Sequence, residues 1–133
     1  MKSTFWPLGL LVCGLIGSTG ANAKENWWEM TVTHPQFAKR YLLTSGCTIN
    51  LFKTEPKVEL FAYDYDHPGG VLEQHVILSK DSQGTVHRQD YFRVGQDSVE
   101  SADDISKPCW EGAQTLPAPL GEFFRDSPRP ESK

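Results

Sequence analysis

The sequence predicts a mainly β protein: a small antiparallel β-sheet domain, a meander that is barrel- or sandwich-like, with one short helix and one disulfide. Three observations predict it. Apolar residues alternate with period two through Cys47–Leu51, Val58–Tyr65 and Val86–Val94. Turn chemistry separates these runs, as His67-Pro68-Gly69-Gly70 and Asp81-Ser82-Gln83-Gly84. Cys47 and Cys109 remain as an even pair once a leader is set aside. A helix-on-sheet α+β arrangement is the alternative architecture.

The leader is read from the first residues. Lys2 supplies a positive charge, Phe5 to Ile16 is an apolar run broken by Pro7, Gly9 and Gly14, and Ala21-Asn22-Ala23 has the small-x-small form of a cleavage site. Residues 1–23 are therefore expected to be a secretory signal peptide, which would leave a single β-rich domain at 24–125 and a flexible tail at 126–133. The run is shorter than the roughly 20 apolar residues of a transmembrane helix, so no stable membrane insertion is expected after cleavage. Cys13 lies inside the run behind the bulky Val12 and belongs to the leader. The predicted address is the periplasm or the extracellular medium.

Within the domain, Asn26 to Thr33 alternates and predicts a first strand, with Trp28, Met30 and Val32 facing inward and Trp27 outward. Phe37, Ala38, Tyr41 and Leu42 recur at three- and four-residue spacings after Pro35, and predict a short helix over 35–43; an edge strand over 41–44 competes. Cys47, Ile49 and Leu51 share a strand face. Lys57 to Asp66 carries apolar groups on both faces, Val58, Leu60 and Ala62 against Phe61, Tyr63 and Tyr65, and so predicts a central strand. Val71 to Lys80 returns antiparallel, and Thr85 to Val94 follows. Gly95 to Lys107 contains Asp97, Glu100, Asp103 and Asp104 and reads as an exposed acidic loop that Cys109 pins to the sheet. The proline-rich remainder is expected to be irregular, with Leu116, Leu120, Phe123 and Phe124 docking on the body.

A Cys47–Cys109 bridge would stabilise a domain of this size by roughly 4 kcal/mol in the chain-entropy model. Neither cysteine has the C-x-x-C spacing of a redox or zinc site. Removing Lys2 leaves 12 of the 13 Lys and Arg against 17 Asp and Glu, a formal charge of −5. That balance argues against binding to a nucleic-acid backbone and favours a basic partner.

No G-x-S-x-G elbow, phosphate-binding glycine loop or H-E-x-x-H helix occurs. The densest polar cluster is Asp64, Asp66 and His67, whose carboxylates alternate onto one face in the manner of a metal or acid/base site, although these are also ordinary turn residues. His34, His75 and His87 read as structural or partly exposed histidines. Trp110 is expected to pack on the bridge, and an outward Trp27 is a contact residue of the kind that anchors interfaces.

The predicted function is that of an exported small binding protein of the inhibitor or immunity type, acting on another exported or incoming protein and needing no cofactor. Its contact residues would be Trp27, Asp97, Glu100, Asp103 and Asp104, the acidic loop entering a basic cleft. A metal-dependent or hydrolytic enzyme using Asp64, Asp66 and His67 is the second reading. A small-ligand carrier with a closed cavity lined by Phe61, Tyr63, Tyr65 and Tyr91 is the third.

Overall fold

The computed structural model describes residues 27–43 and 46–126; the expected leader at 1–23 lies outside the described residues, as does the expected tail beyond Asp126. Seven strands form one antiparallel sheet in sequential order: β1 (Trp28–Met30), β2 (Phe37–Leu42), β3 (Cys47–Phe52), β4 (Lys57–Asp64), β5 (Leu72–Lys80), β6 (Val86–Val94) and β7 (Asp97–Val99). Helices α1 (Lys107–Ala113) and α2 (Leu120–Asp126) follow. The mainly β meander is thus present, but among the described residues it is open: β1 and β7 are its two edges, and it closes neither into a barrel nor into a sandwich. The cover comes from helices.

The expected helix over 35–43 is a strand instead. β2 pairs with β1 on one side and β3 on the other, Tyr41 opposing both Glu29 and Ile49. Two ladders satisfy backbone groups that an isolated nine-residue helix would leave largely unpaired at its ends, and so outweigh a weak three-four spacing. The competing edge-strand reading was nearer, although β2 is an internal strand. The first strand is shorter than expected.

The long hairpin β4–β5 keeps an unbroken register from Lys57↔Ser79 to Asp64↔Leu72. At its tip Gly69 takes φ 89°, the conformation that the third position of a type II turn requires, and the amide of Gly70 donates to the carbonyl of His67 at 3.2 Å. β5 and β6 continue the same pattern through nine paired residues.

One face of this sheet carries Tyr41, Cys47, Ile49, Val58, Leu60, Ala62, Val76 and Leu78, all buried. The two helices lie on it and contribute Trp110, Ala113, Leu116, Leu120, Phe123 and Phe124. Within residues 107–126 the proline-rich remainder therefore forms two helices, a correction to its expected irregularity, while its large apolar residues dock as anticipated. Proline begins helices well when it sits in the first turn, where its missing N–H has no partner to lose, and Pro108 does so in α1. Trp110 packs edge-on to Phe124 with ring centroids 5.1 Å apart, and its indole N–H donates to the Phe124 carbonyl at 3.2 Å.

Cys47 and Cys109 are bonded, with Cα atoms 5.8 Å apart, inside the range that a disulfide spans. The bridge ties the start of β3 to α1. A polar suture holds the same helix from its other side: the Gln74 side chain donates to Asp90 at 2.8 Å and accepts the Ile105 amide at 2.8 Å, just ahead of α1.

Candidate functional site

The opposite face of the sheet has no helix over it among the described residues. Alternation puts Trp28, Met30, Arg40, Asn50, Phe52, Glu59, Phe61, Tyr63, His75, Tyr91 and Arg93 there, because each is paired in register with another residue of that face or lies one pleat from one. Trp28 is 59% exposed, Tyr91 53% and Tyr65 63%, values far above those of aromatic side chains in a core.

A polar line crosses the centre of this face. Arg40 Nε donates to Asn50 Oδ1 at 2.7 Å, Asn50 Nδ2 donates to Glu59 Oε1 at 3.1 Å, and Glu59 Oε2 meets His75 Nε2 at 2.9 Å. The line takes one residue from each of β2, β3, β4 and β5. Asn50 and Glu59 are buried even though no helix covers this face among the described residues. Burial pushes the Glu59 carboxyl up, but the hydrogen bonds from His75 and Asn50, with the nearby charges of His75 and Lys57, together hold it below the usual carboxylate range. It is an ionised group at neutral pH.

Aromatic rings flank the line. The His75 imidazole stacks on Phe61 at 4.2 Å with planes 11° apart, and lies 6.1 Å from Tyr91. Tyr63 stacks on Tyr65 at 5.8 Å, and Phe37 meets Phe52 edge-on at 4.9 Å. Burial, reinforced by Glu73, raises the Tyr63 hydroxyl above its ordinary value, so it stays protonated and available as a donor. Beside His75 the surface dips into a concavity of about 160 Å³ lined by Phe61, Glu73, His75, Tyr91, Phe92, Arg93 and Ser98.

The residues singled out from sequence fall in four places. Trp27 and Trp28 exchange roles: Trp27 points to the helix side, where its indole N–H donates to Thr115 Oγ1 at 3.1 Å and its ring meets Tyr41 at 5.3 Å, whereas Trp28 is the exposed one. Asp97 belongs to β7, so the expected acidic loop is shorter by a strand; Asp97, Glu100 and Asp103 are exposed. Asp104 serves the fold. It accepts from the Ser106 hydroxyl at 2.6 Å and the Ser106 amide at 2.9 Å, and pairs with Arg88 at 3.2 Å. Burial opposes its ionisation, but these hydrogen bonds and the Arg88 charge leave its carboxyl lowered.

Asp64 and Asp66 serve the turn, Asp64 Oδ1 accepting the Asp66 amide at 3.0 Å. His67 Nδ1 is buried without a hydrogen-bond partner. Among the described residues no three His, Cys, Asp or Glu side chains converge in a way that could hold a metal ion, so the structure does not assemble Asp64, Asp66 and His67 into a metal centre. His87 caps its own hairpin through Asp81 at 2.8 Å. Phe61, Tyr63, Tyr65 and Tyr91 do share a face, but it is open to solvent and not the closed cavity of a carrier.

The line from Arg40 to His75 escaped the sequence reading. Alternation does place Asn50 opposite Ile49 and Glu59 opposite Val58, so polar residues on the second face were visible strand by strand; their juncture depends on register, which no single strand carries.

No protein-family model, curated protein or solved structure matches this chain. Among the described residues no helix is long and apolar enough to cross a membrane.

Proposed function

We propose that this chain is an exported binding protein of the inhibitor or immunity type, which engages a basic protein partner through the uncovered face of its sheet. One observation carries the reading: of two faces built from the same strands, one is sealed by tethered helices and the other presents exposed Trp28, Met30, Tyr65 and Tyr91 around a pre-ordered polar line. Exposed aromatic anchors beside fixed hydrogen-bonding groups are what protein interfaces use as their energetic centres. The formal charge of −4 favours encounter with a basic surface. Exposed Asp97, Glu100 and Asp103 lie on and just after β7, where they add to steering without forming the centre of the contact.

The test is capture of a partner from envelope extract by the purified protein, by a Trp28→Ser, Tyr91→Ser variant and by an Asp97→Asn, Asp103→Asn variant. The expected result is a basic protein retained by the wild type, lost by the aromatic variant, and retained by the acidic-residue variant with greater sensitivity to salt. Equal retention by the aromatic variant would overturn the assignment of the contact to this face.

A further inference from the structure

We infer that the concavity beside His75 is a binding site for a neutral sugar, one pyranose ring; the inference goes beyond the protein-binding reading above and stands on strand register. Two rows of side chains cross the sheet next to each other. Phe61, His75 and Tyr91 oppose one another in the first, and Glu73, Arg93 and Ser98 in the second. The rows are two residues apart along the strands, about 7 Å, and all six residues line the concavity. One side of it is therefore aromatic and the other is hydrogen-bonding.

Formal charge on this face pairs off. Glu73 meets Arg93 at 3.7 Å, Lys57 meets Glu55 at 3.5 Å, and Glu59 lies between His75 and the Asn50 to which Arg40 donates. No formal charge is left over to draw a cation or an anion, so recognition falls to hydrogen bonds and rings. Both polarities are present: Glu73 accepts, Arg93 donates and the Ser98 hydroxyl does both. The second ring nitrogen of His75 accepts from a hydroxyl in neutral imidazole and donates to one in imidazolium, so the fit holds in either state.

A sugar ring matches both sides at once. Its neighbouring hydroxyls each donate and accept, and two of them together bridge a carboxylate and a guanidinium that are held only loosely to each other. A peptide amide points its donor and its acceptor in opposite directions and meets one of the pair. The C–H groups on one side of a pyranose form an apolar patch, and the Tyr91 ring, 53% exposed and inclined at 42° to His75, leaves a face open to receive it.

The experiment is an NMR titration of the purified protein, with aromatic side chains labelled, against the methyl glycosides of glucose, galactose, mannose and N-acetylglucosamine in turn. Cyclohexylmethanol, N-acetyl-arginine methylamide and N-acetyl-glutamate methylamide are the controls. Expected are saturable shifts at Tyr91 and His75 with at least one glycoside, tighter than any control, and an affinity that raised salt changes by less than about twofold. Glu73→Gln and Arg93→Gln should each weaken it by about tenfold, and Tyr91→Phe should keep the binding that Tyr91→Ala loses. With the matching tetrasaccharide, equal binding (a free sugar) or tighter binding (the end of a glycan) supports the site. No saturable shift with any glycoside, tighter binding of a charged control, or unchanged binding in Tyr91→Ala or in both Gln variants would each overturn it. Absence of sugar binding with aromatic-dependent capture of a partner intact leaves the protein-binding reading standing. Sugar binding with no captured partner would remove that reading instead.

Discussion

The two faces of the sheet are built from alternate residues of the same seven strands, yet one became a core and the other a surface of working polar groups. On the covered face, Val58, Leu60, Val76 and Leu78 are fully buried beneath α1 and α2. Polar groups there are few, and those present act as sutures: Gln74 and Asp90 to the chain entering α1, Arg88 to Asp90 and Asp104. On the uncovered face aromatic groups stand beside Met30, Leu42 and Ile77 and alternate with Arg40, Glu59, His75 and Arg93. What separates them is a tether. The Cys47–Cys109 bridge commits a proline-rich C-terminal segment to one side, and the other side is left without a helical cover among the described residues.

The largest expected effect tests that tether. Replacing Cys47 and Cys109 by Ala removes the closure of 62 residues and should cost roughly 4 kcal/mol in the chain-entropy model, measured by urea unfolding. It should also loosen the helices before the sheet, which amide exchange in 107–126 would report as faster than exchange in β4 and β5. Uniform loss of protection across both would break the distinction between a sheet that holds itself together and a cover that is held on.

A smaller effect sharpens the picture of the uncovered face. Glu59→Gln should cost about 1.5–3 kcal/mol at neutral pH, the range for a hydrogen bond involving a charged group. The sign of its pH dependence follows from the lowered carboxyl. The folded value lies below 4.5, so the contribution is complete above about pH 4.5 and is lost as pH falls through the folded value. The groups that act on this carboxyl are His75, Asn50 and Lys57, with Arg40 reaching it through Asn50. Wild-type stability should therefore decline more steeply with acid than that of Glu59→Gln. Parallel curves would mean that the polar line contributes nothing through charge.

The smallest effect on stability is expected where exposure is greatest. Trp28→Ser and Tyr91→Ser should each change the unfolding free energy by no more than about 0.5 kcal/mol, as exposed positions generally do, even though together they remove the proposed contact. A large destabilisation at either would place it with the core residues of the covered face.

Much of this contrast was legible along the chain, and its failures are informative. Strands β3 to β6 follow from period-two alternation and from turn residues with defined backbone needs, which are local properties. The bridge was expected from Cys47 and Cys109 being the pair left once residues 1–23 are read as a leader. The helix expected over 35–43 failed because its spacing of Phe37, Ala38, Tyr41 and Leu42 suits a helix only in isolation, and pairing with both β1 and β3 overrode it. Trp27 and Trp28 were correctly placed on opposite faces and assigned the wrong way round. Alternation separates two sets of residues without saying which set will be covered. Asp97 to Asp104 read as one acidic loop, but Asp97 pairs into the sheet and Asp104 anchors Ser106 and Arg88, leaving Glu100 and Asp103 in the exposed connection.

The sequence by itself determined the β character, the order of the long strands and the turn between β4 and β5, because each depends on neighbours along the chain, and it pointed to the pairing of Cys47 with Cys109 on the expectation that Cys13 belongs to a leader. Only the tertiary structure decided that the sheet stays open, that helices cover the side bearing Val58 and Leu60, and that Arg40, Asn50, Glu59 and His75 join across four strands. Those outcomes depend on register and on which face the C-terminal segment reaches. Register is set by the sum of pairings over the whole sheet, and the covered face by where the bridge and the large apolar groups of α1 and α2 bury the most surface together.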